Sequence, residues 1–116
     1  MSPRRPRTDE DVASAKGLGL AVERLRREHR LAREQVAERG GLPVAAVVEV
    51  EAAEAKREPT WGDVRRVAQG LGVELEHLID LSYELAPGPA GERLREKELQ
   101  KARSDDAERL LVEDEP

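Results

Sequence analysis

Residues 31–54 read LAREQVAERGGLPVAAVVEVEAAE, two short helical patterns on either side of a Gly-Gly-Leu-Pro break. In the first, Val36 and Ala37 are the inward pair, and Gly40–Gly41 stops the helix. Pro43 suits the opening of the second, because the N–H it lacks would have no partner in a first turn. That second helix runs from about Val44 to Ala53, with Val47 and Val50 on one side and Val44, Ala45, Val48 and Glu49 on the other. From Gly40 to Glu54 there is no Lys, Arg, Asn, Gln, Ser or Thr, so its side chains offer no hydrogen-bond donor.

Upstream, Leu18, Val22 and Leu25 recur at i, i+4 and i+7 in a helix that ends near His29 or Arg30. Thr8 followed by Asp9, Glu10 and Asp11 carries the marks of a helix start. Gly17 and Gly19 weaken the run after it, leaving either a short helix of its own or an extension of the next one. Downstream, Thr60 with Asp63 forms a capping box with a shorter acid. It opens a helix through Val64, Val67, Ala68 and Leu71 that Gly72 closes. Glu74 to Leu81 makes a further short helix, with Leu75, Leu78 and Ile79 inward. Trp61 reads as a core or edge packing residue at the start of the fourth helix.

Aromatic residues are 2% of the 116 and charged residues 39%, so any core is built from Leu, Val and Ala. No segment alternates apolar and polar over a strand's length. The expected fold is all-α: a five-helix bundle over 18–81, preceded by a basic arm and possible short helix at 1–17. A Pro/Gly linker at 82–91 and a charged, acidic, helical tail at 92–116 follow. The tail's apolar positions are few, Leu99, Ala102 and Leu110 among them. Two readings stand for it: a solvated, partly helical segment, or a helix ordered by a partner or by a second copy.

There is no cysteine, hence no disulfide framework or thiolate metal site, and the two histidines lack partners at metal-ligand spacing. No metal or cofactor is expected, and no enzyme, since convergent titratable groups in a pocket are not foreseen in so small a bundle. No apolar run has the length of a signal segment or membrane span, which predicts a soluble, cytoplasmic protein.

Residues 18–81 resemble the lambda-repressor-like, Cro-type helix-turn-helix family, often called XRE. The resemblance rests on Ala37 at the small position between helices two and three, and on Gly41 in the turn with Leu42 after it. Val47 and Val50 inward on helix three, the Pro59-Thr60 helix start and the run QGLGVELEHLI at 69–79 complete it. What the resemblance implies is a transcriptional regulator binding double-stranded DNA as a homodimer, with the third helix in the major groove. It places Arg33 at a DNA-contacting position at the start of helix two, and Val44, Ala45, Val48, Glu49 and Ala52 against bases.

Bidentate base readout needs Arg, Lys, Asn or Gln. The expected contacts are therefore Val44, Ala45 or Val48 on thymine methyls and Glu49 accepting from cytosine. Glu49 and Glu51 are both expected near phosphates. Arg30, Arg39, Lys56 and Arg57 are candidate phosphate anchors, and Arg4, Arg5 and Arg7 a candidate minor-groove arm. The ordinary alternative for each arginine is a solvated helix face with an acid at i+4, such as Arg30–Glu34.

The net charge of −5 works against DNA affinity. Four basic residues stand against three acidic over 1–17, ten against twelve over 18–81, and six against ten over 82–116. A second function is thus open on the same scaffold: a protein-interaction module in which the apolar and acidic helix 44–53, or the tail, binds a protein partner.

Overall fold

A computed structural model describes residues 8–53 and 60–113, and the side chains of 8–53 and 60–104. Among these residues the chain is all-helical: α1 (Asp9–Glu28), α2 (Arg33–Gly40), α3 (Val44–Ala52), α4 (Trp61–Leu71), α5 (Leu75–Leu85) and α6 (Gly88–Glu113). No helix is long and apolar enough to cross a membrane, among the described residues.

The Thr8 start is a full capping box. The Asp11 N–H donates to Thr8 Oγ1 at 3.1 Å, and the Thr8 N–H donates to Asp11 Oδ2 at 3.0 Å. From there one continuous helix passes through both glycines to a C-cap at His29. Sequence propensity alone marks Gly17 and Gly19 as weak points. Packing supplies the reason they are there: a Cβ on Gly17 would sit 2.1 Å from the Ser82 carbonyl oxygen, and one on Gly19 2.6 Å from that of Glu51. Only a bare backbone lets α5 and α3 approach α1 this closely.

α1 is thereby the spine of the molecule. Its Ala21, Val22 and Leu25 join Val36 and Ala37 of α2, Val47 and Val50 of α3, Val67, Ala68 and Leu71 of α4, and Leu78 of α5 in one core. At the start of α4 the Asp63 N–H donates to Thr60 Oγ1 at 3.1 Å, completing the second capping box. Trp61 just after it is no core residue. At 67% exposure it stands at the rim of a depression of about 270 Å³ between α1, α4 and α5, which the chain's one tyrosine, Tyr83, also lines.

The stretch 82–91, expected as a linker, is instead the end of α5 and the start of α6, with Ala86 and Pro87 between them. Ala86 and Ala90 pack with Ala13 in a second small cluster that Leu94 joins. The prolines and glycines are compatible with order because Pro89 falls in the first turn of α6, where its missing N–H has no intrahelical use. Arg95 locks the joint: its Nη1 donates to the carbonyls of Tyr83, Glu84 and Ala86 at 3.1, 3.2 and 2.7 Å. A cation there meets the carbonyls at the end of α5, joining the Ala86 N–H on that of Tyr83.

Candidate nucleic-acid interface

α2 ends where Gly41 turns left-handed at φ 68°. The Leu42 N–H then closes back onto the Ala37 carbonyl at 2.8 Å, and the chain enters α3 through Pro43. Gly41 has nothing within 4 Å of a hypothetical Cβ, so it is needed for its dihedral and not for space. Ala37, 2% exposed, is the small side chain at which α2 and α3 meet the core.

α3 is sided as its sequence suggests. Val47 and Val50 are buried, at 0% and 8% exposure, whereas Val44 and Val48 stand out at 39% and 42%. Ala45, Glu49 and Ala52 are exposed beside them. These outward residues form one apolar face with a single carboxylate on it. α3 closes on Ala53 in the left-handed region, at φ 54°.

Glu51 does not join that face. Its side chain is 4% exposed and lies beneath two arginines. Arg26 Nε donates to Glu51 Oε1 at 2.7 Å while Arg26 Nη1 donates to the Leu31 carbonyl at 3.1 Å. Arg33 Nε donates to the other carboxylate oxygen. The cluster ties the end of α1, the start of α2 and the end of α3 into one unit. The expectation that Glu51 lies free near phosphates is corrected: it is spent inside the fold. Being four residues after Val47 puts it on the inward side of α3, which is the signal that identifies it. Arg26, in a run of helical charges, carries no such mark.

Arg33 is therefore already paired, though 46% of its side chain remains exposed. Its hydrogen bond to Glu51, with that carboxylate's charge, raises its pKa further above the ordinary arginine value. Arg30 adopts φ 54° in the turn after α1, so it has no helical i,i+4 relation to Glu34. Arg39 extends to the end of α4, where its Nη2 would lie 3.1 Å from a Cβ on Gly72. That places its guanidinium at the C-terminal end of α4. Lys56, Arg57, Arg4, Arg5 and Arg7 lie outside the described residues.

The N-termini of α2 and α3 differ from those of α1 and α4. Neither Ala32 nor Pro43 caps with a side chain. At α2 the Ala32 N–H donates to Gln35 Oε1 at 2.7 Å and Glu34 stands in the first turn, whereas α3 has no acid in its first turn, so its backbone N–H groups keep their capacity to meet an anion. No group of three or more His, Cys, Asp or Glu among the described residues could hold a metal ion. No family model, curated protein or solved structure matches this chain.

Proposed function

We propose that the protein is a sequence-specific DNA-binding transcriptional regulator in which α2 and α3 act as a helix-turn-helix and the outward face of α3 enters the major groove. One observation carries this reading: α3 is pinned on its inner side by Val47, Val50 and Glu51, and among the described residues Val44, Ala45, Val48 and Glu49 are exposed on its outer side. A helix held on one face and bare on the other, behind a three-residue turn, has the form a groove reader requires.

The readout is methyl contact by the valines and Ala45, and acceptance from cytosine by Glu49. Phosphates are met by the exposed part of Arg33, oriented by Glu51, and by the N–H groups at the start of α3. Lys56, Arg57 and the arm residues Arg4, Arg5 and Arg7 add sequence-independent attraction, and a homodimer doubles each contact. Fluorescence anisotropy on genomic fragments, repeated from low to moderate salt, tests this. Binding with log K falling linearly against log salt is expected. No binding at low salt would refute it.

A second reading has its own support. An exposed pair of valines with one carboxylate beside them, among the described residues, also fits a protein-binding face. Val48→Arg separates the two. It adds a cation to a groove-facing helix, so DNA affinity holds or rises, whereas capture of a protein partner on that face is lost.

A further inference from the structure

The outward face of α3 has an ordered chemistry. Val44 and Val48 are 39% and 42% exposed, and Ala45, Glu49 and Ala52 are exposed with them. Ala45 lies four residues before Glu49 and Ala52 three after it, so both are its neighbours on the helix surface, with Cβ atoms about 5–6 Å away. Val48 stands in the same kind of relation to both alanines. The face therefore runs from one carboxylate, across two methyl groups, to the valines. Among the described residues no hydrogen bond or ion pair engages Glu49, whereas Glu51 is held by two arginines. No side chain on the face carries a hydrogen-bond donor.

A face of this kind selects among bases by elimination. In the major groove guanine offers two acceptors, N7 and O6, and adenine sets the acceptor N7 beside its N6–H donor. Thymine offers a methyl group, but its O4 acceptor would face the carboxylate. Cytosine offers an N4–H donor to Glu49 and nothing for the alanines to cover. Methylation at C5 changes that last case alone. It sets a methyl group on the ring carbon next to the one bearing N4, and no acceptor accompanies the pair on that edge. Donor and methyl then lie side by side, as the Glu49 carboxylate and the alanine methyl groups do on α3.

We propose that α3 reads 5-methylcytosine in double-stranded DNA: Glu49 accepts from its N4–H, and Ala45, Ala52 and Val48 cover its C5 methyl group. Such recognition depends on α3 entering the major groove, as proposed above, and names the base it meets there. The lack of donors and the surplus of methyl surface, which make α3 a poor reader of the four unmodified bases, are what this base requires. Burying one methyl group strengthens binding about fourfold, and one in each half of a site held by a homodimer strengthens it on the order of tenfold.

A randomised duplex pool copied with 5-methylcytosine in place of cytosine, selected on the full chain at low salt beside a plain pool, supplies the probes. Retained duplexes are remade with cytosine, N4-methylcytosine or a thymine–adenine pair at each modified position in turn, and fluorescence anisotropy measures their affinities. At the contacted position, cytosine should bind about fourfold more weakly than 5-methylcytosine. N4-methylcytosine should lose at least as much, because its methyl group occupies the place of the free N4–H. Thymine keeps the methyl group and loses the donor, so it should bind about fivefold or more weakly. Glu49→Ala, a change at an exposed helical position, should bind thymine and 5-methylcytosine about equally.

Equal affinity for cytosine and 5-methylcytosine at every position, or retention of the plain pool alone, would overturn the proposal and leave the DNA reading standing. So would a Glu49→Ala chain that still prefers 5-methylcytosine to thymine. Failure to retain either pool at low salt would sink the DNA reading and this proposal together.

Discussion

Removing the Glu51 carboxylate is the sharpest perturbation of α3 that leaves its outer face untouched. Its side chain is 4% exposed and that of its main partner Arg26 is 13% exposed, so Glu51→Ala strands a largely desolvated guanidinium. Breaking a buried pair by deleting one partner costs about 3–5 kcal/mol. Here the cost falls toward the low end, because Arg26 keeps its bond to the Leu31 carbonyl. Arg33, 46% exposed, adds no more than about 1 kcal/mol. The expected loss is about 3–4 kcal/mol, and at roughly 4–8 °C per kcal/mol for a domain of this size the melting temperature drops by about 12–32 °C. Thermal and urea unfolding followed by far-UV circular dichroism measure it. A double-mutant cycle should assign most of the coupling to Arg26–Glu51 and under about 1 kcal/mol to Arg33–Glu51. Replacing the pair together, Arg26→Met with Glu51→Leu, should recover most of the loss. If Glu51→Ala melted within about 3 °C of the parent, the cluster would not be what fixes α3, and the reasoning would fail.

Three further outcomes follow from particular contacts. Gly70→Ala puts a Cβ 2.2 Å from the Val36 carbonyl oxygen, a backbone atom that cannot swing aside, so α2 and α4 must separate. It should cost at least about 1–3 kcal/mol in urea unfolding. Gly41→Ala meets no atom and pays only for its left-handed dihedral, about 1–2 kcal/mol. Lys97, whose Nζ donates to both Glu10 carboxylate oxygens at 3.1 and 2.8 Å, is the first cause holding that carboxyl below its ordinary 4.5, with Arg93 assisting. A pKa lowered by folding contributes stability above the unfolded value and loses it as pH falls through the folded one. Carboxyl NMR titration should therefore find Glu10 rising toward 4.5 in Lys97→Gln, and the stabilities of parent and variant should converge in acid.

Much of the architecture was written in local chemistry. Thr8 with Asp11, Thr60 with Asp63, the left-handed Gly41, and Val47 with Val50 are each decided within four residues, and each is where its sequence puts it. What local chemistry leaves open or misreads is set by contact between residues distant in the chain. Gly17 and Gly19 allow either a separate short helix or an extension of the next one, and the carbonyls of Ser82 and Glu51 brought against them go with the continuous helix. The prolines of 82–91 look like a linker until Ala13 buries Ala86 and Ala90. Arg26 and Glu51 are 25 positions apart, and nothing local couples them.

That last contact alters the electrostatic argument at the candidate site. Counted from sequence, two acids on α3 oppose an approaching phosphate backbone, with Arg33 as a free cation beside them. In the folded chain Glu51 is balanced by Arg26 and Arg33 and removed from the surface, and Arg33 is a held cation with a fixed orientation. A held guanidinium loses less side-chain entropy when it meets a phosphate, so it gives up some charge and gains in preorganisation. Opposition on the outward face of α3 reduces to Glu49. That residue is also the one side chain there able to accept a hydrogen bond from a base, so the remaining acid is a cost only where the groove offers it no donor.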